Sequence, residues 1–307
     1  MREPGRELIL HHYEISPYAE KIRLVMGFKG LAWRSVLIPV VMPKPDLTAL
    51  TGGYRLTPVL QVGADIYCDT KVIARRLERE RPSPTLYPEG AAAAERALSF
   101  WAETIFMDFV TVAFSIEGFF PPDFIADRQK MVPGGVDFAL AQQLRPSRLD
   151  HVRAKLDVLD RQLADGRPYL LGKATSLADL SAYHSLWAMR PIPAMAPLLA
   201  PFEHLAAWME RIAAFGHGER QEMDGQEAVE IARASKPTTR PGRDTGDPNG
   251  RKPGDRVQVF PEAYGRDPVA GELVWSDAHE IAIRRVDERA GEVVVHFPRE
   301  GCITLEG

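Results

Sequence analysis

The sequence predicts an α/β domain, then an all-helical domain, then a small β-rich module, and three observations lead there. Strand-like and helix-like segments alternate over residues 1–85 as β-α-β and then β-β-α. Over residues 90–235 apolar residues recur at three- and four-residue spacing, and strand signals largely vanish. Residues 236–254 are rich in Pro, Gly, Asp and Arg, as a linker is, and residues 255–307 break into short apolar runs between turn signals.

Each element has a local reason. Leu8 to Tyr13 reads as a buried strand, and Ser16-Pro17 as a helix start, with a capping hydroxyl followed by proline at the first helical position. Ile22, Val25 and Met26 give that helix its apolar face, Gly27 and Gly30 end it, and Trp33 to Val41 reads as the next strand. A proline-rich loop with Pro43 and Pro45 follows. Pro58 to Val62 and Asp65 to Tyr67 flank Gly63-Ala64 as a hairpin, and Asp69-Thr70 opens a helix carrying Val72, Ile73 and Leu77.

The helical block begins near Ala91, where Leu98, Trp101, Ile105, Phe109 and Val112 mark a long amphipathic helix. Leu149 to Leu163 repeats the spacing. Ser176-x-x-Asp179 is a capping box ahead of Leu180, Tyr183 and Trp187, and Leu205, Trp208, Met209 and Ile212 mark a further helix. Strands are expected at Val257–Phe260, Val269–Trp275, Glu280–Val286 and Glu292–Phe297, a small barrel of SH3-like type. A chain cut at residue 240 is expected to keep the fold of its body, because the linker carries no core residues.

Composition narrows the function classes. A net charge of −4 over 307 residues gives no field for nucleic acid or an anionic membrane, and the +3 balance of the linker is a solvated stretch. Two cysteines, Cys68 and Cys302, are too few for a disulfide framework, which fits a reducing cytoplasm. No secretory signal pattern opens the chain, no apolar stretch reads as a membrane span, and no His/Cys/Asp cluster has metal-ligand spacing.

Four motifs occur in one order: Ser16-Pro-Tyr-Ala-Glu-Lys-Ile-Arg23, Thr57-Pro58, Asp69-Thr70-x-x-Ile73 and Ser176-x-x-Asp179. Together they resemble the glutathione transferase superfamily over residues 8–235. The first motif is similar to the C-P-F-A-E-R-x-R segment of the omega class with serine in place of the nucleophilic cysteine. The second resembles the cis-proline turn, the third the E-S-x-x-I motif, and the fourth the capping box of the helical domain. The resemblance implies a thioredoxin-like first domain, an all-α transferase domain, a cytoplasmic homodimer, and glutathione as co-substrate with a hydrophobic electrophile as its acceptor.

It also implies roles. Ser16, at a helix N-terminus, is the expected thiol-contacting residue, with Tyr13 and His12 as alternatives; a hydroxyl and a helix end both favour a thiolate. Serine cannot form a mixed disulfide, so thiol addition is expected rather than thiol transfer. Thr57 and Pro58 are expected to meet the cysteinyl part of glutathione, Asp69 its ammonium group, and Thr70 its α-carboxylate. The segment Leu50 to Thr57 departs from the omega pattern, leaving Arg55 and Lys44 as charge-based candidates for the glycyl carboxylate. Trp101, Phe109 and Phe114 are the first aromatics to consider for an acceptor pocket. The competing reading is a non-catalytic transferase-like scaffold whose β module mediates protein interaction.

Overall fold

In the computed structural model, residues 7–238 and 247–307 are described. Of the expected linker, residues 239–246, with Arg240, Arg243 and Asp244, lie outside them. The first domain runs β1 (Ile9–His12), α1 (Pro17–Phe28), β2 (Ala32–Leu37), α2 (Pro45–Thr51), β3 (Val59–Val62), β4 (Asp65–Cys68) and α3 (Thr70–Glu80). The thioredoxin-like order is as expected, except that the proline-rich loop contains α2, with Pro45 at its first turn and Gly52 closing it at φ 78°. The bundle holds α4 (Ala92–Phe114), α5 (Pro122–Met131), α6 (Phe138–Leu163), α7 (Leu177–Met189), α8 (Ala196–Leu199) and α9 (Glu203–Ala213).

Helix α4 is apolar and long enough to cross a bilayer, but its Ala102, Ile105, Val112 and Ala113 face is buried in the protein core. Asp108 on the same helix is 2% exposed and takes Lys155 at 2.6 Å and Arg148 at 3.1 Å from α6. The capping box of α7 is present as read. Asp179 accepts from Ser176 N at 2.9 Å, and its other oxygen accepts from Leu170 N and from Trp208 Nε1, at 2.8 and 3.0 Å. One buried carboxylate thereby joins α7, α9 and the loop before them.

After α9 the chain leaves the all-helical pattern expected as far as residue 235. Strand β5 (Glu219–Glu222) returns to pair in parallel with β2, and α10 (Gly225–Ala234) follows it. The β-rich C-terminal module then comprises β6 (Arg256–Pro261), β7 (Val269–Ser276), β8 (Glu280–Asp287), β9 (Gly291–Pro298) and β10 (Cys302–Glu306). Four of these strands fall where the sequence puts them; β10 is additional.

The module is not hung from the body on a tether. All ten strands form one sheet in the order β10-β6-β7-β8-β9-β4-β3-β1-β2-β5, with β9 parallel to β4 in the register Ile66↔Val295 and Tyr67↔His296. Period-2 alternation sends Leu8, Leu10 and Leu60 to a core shared with α1, α3 and the bundle. It sends Ile9, Val59, Ile66 and Cys68 to a second core shared with Val259, Ile281, Ile283, Val295 and Phe297. Helix α2 is held to the module through Arg285, which donates to Ala49 O at 2.5 Å, and through the Arg289–Asp46 pair at 2.5 Å. Asp247, inside the expected linker, pairs with Arg299 at 2.6 Å with its side chain 1% exposed.

A histidine held between two carboxylates sits in the seam. His296 on β9 is 2% exposed and stacks on Tyr67 at 4.3 Å; its Nε2 meets Asp65 at 3.1 Å and its Nδ1 meets Glu280 at 2.7 Å. Arg79 reaches Glu280 at 3.4 Å, and Asp65 also accepts from Thr238 N at 2.9 Å. Burial alone would push the imidazole pKa down, but the hydrogen bonds and charges of the two carboxylates outweigh it and raise it.

Two outcomes are expected. Deleting residues 247–307 should abolish cooperative thermal unfolding, which reverses the expectation that the body stands alone. The module's apolar side chains each contribute about 1.5 kcal/mol or more, against a net stability of roughly 5–15 kcal/mol for a whole domain. The raised histidine makes the second outcome pH-dependent. Its stabilisation is complete below the unfolded value of ~6.5 and is lost as pH rises through the folded value. Urea midpoints should therefore decline on the alkaline side, and Asp65→Asn should flatten that decline while costing about 3 kcal/mol at pH ~6.

Candidate functional site

The expected site residues lie at three chain ends that the fold brings together: the turn after β1, the loop before β3 and the start of α3. Thr57, Pro58, Asp69 and Thr70 line one cavity of about 380 Å³, together with Tyr18 of α1, Tyr54 and Glu103 of α4. The Thr57–Pro58 bond is cis, as the resemblance implies. Asp69 sits at φ 87° and ψ 138°, backbone territory that normally belongs to glycine, and its Oδ1 accepts from Lys71 N at 2.8 Å to cap α3. The strained residue is one of those that line the cavity.

Ser16 caps α1, accepting from Ala19 N at 3.2 Å, and is 3% exposed. It is not among the residues that line the cavity; Tyr18, one step further into the helix, is. Neither sequence alternative lines it. His12 is wholly buried, with Nδ1 accepting from Arg23 at 3.1 Å and Nε2 against Ser35 Oγ at 3.0 Å. Burial first, and then the Arg23 and Arg220 charges, push its pKa down to about 3, so it is a neutral core group. His11 faces the other side of the sheet and bonds Gln61 at 2.9 Å. The Tyr13 hydroxyl accepts from Arg128 at 3.3 Å.

Beside Thr57 lies a cationic cluster of Lys44, Arg55 and Arg128. Asp127 of α5 accepts from Arg55 at 2.7 Å, from Met42 N at 3.0 Å and from Arg128. Lys44 makes no ion pair among the described residues; its Nζ lies 3.5 Å from both Thr57 Oγ1 and Arg55 O, and 5.4 Å from the Tyr13 ring. Burial, with Arg128 and Arg55 nearby, pushes its pKa down to about 8. Of the two charge-based candidates, Arg55 is therefore occupied and Lys44 is not.

The other wall was not legible in the sequence. The module contributes Pro261, Glu262, Ala263, Tyr264, Glu300 and Gly301, and Glu300 bridges to Arg96 of α4 at 2.5 Å. The one signal for Tyr264 is a lone aromatic in the polar turn Glu262-Ala-Tyr-Gly265, which periodicity cannot use. Of the aromatics considered for an acceptor pocket, Trp101, Phe109 and Phe114 pack with the bundle, the Phe114 ring centroid lying 4.9, 6.4 and 6.1 Å from those of Phe120, Phe124 and Phe138. Phe100 lines the cavity instead and is 63% exposed. Cys68 is buried, its thiol pKa pushed up by burial, and Cys302 is pushed up to about 12 for the same reason.

Comparison with known proteins agrees with this architecture. Residues 10–85 match the glutathione S-transferase N-terminal domain and residues 84–211 the glutathione S-transferase C-terminal domain. The crystal structure of a GST-like protein from Pseudomonas syringae is 40% identical, covers 98% of this chain and 100% of its own, and superposes with a TM-score of 0.80. FtsZ-localized protein A of Caulobacter vibrioides (strain NA1000 / CB15N) is 26% identical over 183 residues, 57% of this chain and 74% of that protein. Glutathione S-transferase III in its apo form shares the fold, at 24% identity over 68% of this chain and 92% of its own, with a TM-score of 0.51. The chain belongs to the glutathione S-transferase family.

Proposed function

We propose that the cavity binds glutathione, stabilises its thiolate and directs it at an electrophilic small molecule. The observation that carries this reading is that Thr57, Pro58, Asp69 and Thr70 line a single cavity, Asp69 among them in a strained backbone conformation. A tripeptide with an ammonium group at one end and a carboxylate at the other fits a site with this polarity. Asp69 meets the ammonium, the start of α3 at Thr70 meets the α-carboxylate, and the Thr57 backbone pairs with the cysteinyl unit. Lys44 takes the glycyl carboxylate.

The sulfur lies toward the N-terminus of α1, where Ser16 and the positive helix end favour the charged form. Each unit of lowered pKa makes the thiolate about tenfold more abundant relative to the thiol. The reaction is nucleophilic addition: the sulfur forms a bond to the electrophilic carbon as the leaving group or π electrons depart. A second reading is a non-catalytic transferase-like scaffold. It is favoured by the similarity to a protein named for its localisation with FtsZ and by the burial of Ser16.

Calorimetric titration with glutathione separates the two, since saturable heat is expected and its absence up to millimolar concentration would leave the scaffold. Asp69→Ala should weaken glutathione binding at least tenfold while costing about 1 kcal/mol of stability, the value of a lost cap. Equal losses of both would make Asp69 a cap alone. Lys44 supplies a pH test. Binding of S-methylglutathione, whose sulfur cannot ionise, should decline as pH rises through about 8, where Lys44 loses its charge. Lys44→Met should bind more weakly and remove that decline.

A further inference from the structure

We propose that Tyr264 is a second hydroxyl donor to the sulfur of a thiol held in the cavity, brought there by the C-terminal β strands rather than by the transferase body. The inference rests on the glutathione reading and adds a residue to it. Ser16 is not among the residues that line the cavity and already accepts a backbone hydrogen bond, whereas Tyr264 is one of the lining residues.

The β6–β7 loop that carries Tyr264 is fixed on both sides. Glu262 N donates to Gly301 O at 3.0 Å, and Gly265 N donates to Met131 O, at the end of α5, at 2.9 Å. Gly265 has φ +64°, a left-handed conformation that favours glycine, and a Cβ there would lie 2.9 Å from Leu56 Cδ2, so the loop passes close to the segment before β3. The loop thus crosses from the sheet edge to the helical domain with Tyr264 between them.

The chemistry of the hydroxyl suits donation. Tyr18 lines the same cavity as Tyr264, so two phenols share its wall, and a phenol can donate one hydrogen bond to a ligand there. Burial first, then the nearby Asp69 and Glu103 carboxylates, push the Tyr264 phenol up to about 12, so it stays protonated through the neutral range. No covalent change occurs in the phenol: the thiol S–H loses its proton to water, and the thiolate accepts the Tyr264 O–H.

The test is ultraviolet difference titration of glutathione on the full chain, with calorimetry on the same proteins. Tyr264→Phe, which keeps the ring and its packing, should raise the pKa of bound glutathione by about one unit, a tenfold change in the thiol-to-thiolate ratio, with affinity changed less than threefold. Tyr264→His, which restores a donor, should recover at least part of the shift. An unchanged thiol pKa in a saturated Tyr264→Phe complex overturns the assignment while leaving the glutathione reading intact. Loss of affinity without a pKa change in the saturated complex also overturns it, because the ring would then be packing only. Absence of glutathione binding to the wild-type chain removes the functional reading itself, and the assignment with it.

Discussion

The parallel pairing of β9 with β4 is the constraint on which the rest of this molecule depends. Without it β4 would present a row of unpaired backbone donors and acceptors, an exposed edge that proteins generally cover or disrupt. Here β9 covers it, and the cover is specified by charge as well as by backbone: His296 is held between Asp65 on the strand it joins and Glu280 on the strand behind. The same pairing joins to the first sheet the module whose β6–β7 and β9–β10 loops bring Tyr264, Glu300 and Gly301 to a cavity whose residues outside the module lie between Tyr18 and Glu103.

The cavity surroundings are polarised by packing. Asp69, Glu103, Glu262 and Glu300 line it with Lys71 and Arg96, which lie 3.9 Å from Asp69 and 2.5 Å from Glu300, so the acidic groups exceed the basic ones there, while Lys44, Arg55 and Arg128 cluster beyond Thr57 around the buried carboxylate of Asp127. A dipolar ligand laid along this axis would meet opposite charge at each end. Partial burial strengthens such contacts relative to bulk water and makes each unpaired charge more costly, which is why Lys44 carries a lowered pKa. Lys21 on α1 is 2% exposed and its pKa is lowered by burial in the same way, with Glu103 and Asp69 acting against that shift.

The interface between the first domain and the bundle is built from helix α1 outward. Tyr18 packs edge-on against Phe106 at 4.9 Å and against His184 at the same distance, so the residue that enters the cavity is also wedged between α4 and α7. Site and domain interface share this side chain, and a change that loosens one will loosen the other.

What the sequence determined by itself is everything whose cause is local. Ser16-Pro17, Asp69-Thr70 and Ser176-x-x-Asp179 are helix starts because their side chains satisfy backbone groups within three residues, and they are found where they were read. The run Glu292 to Phe297 is apolar on both faces, the pattern of a strand covered on both sides, and β9 is such a strand. Helix α2 was lost because its prolines read as loop, and β5 because Glu-Arg-Gln-Glu has no apolar alternation and pairs only because β2 offers an edge. The tertiary structure alone decided that the C-terminal strands continue the first sheet, that Arg55 has an ion pair and Lys44 none among the described residues, and that Tyr264 shares a cavity with Asp69 across nearly two hundred positions. Those outcomes depend on contacts between distant segments, and neither period nor propensity carries any record of which distant segment will be the neighbour.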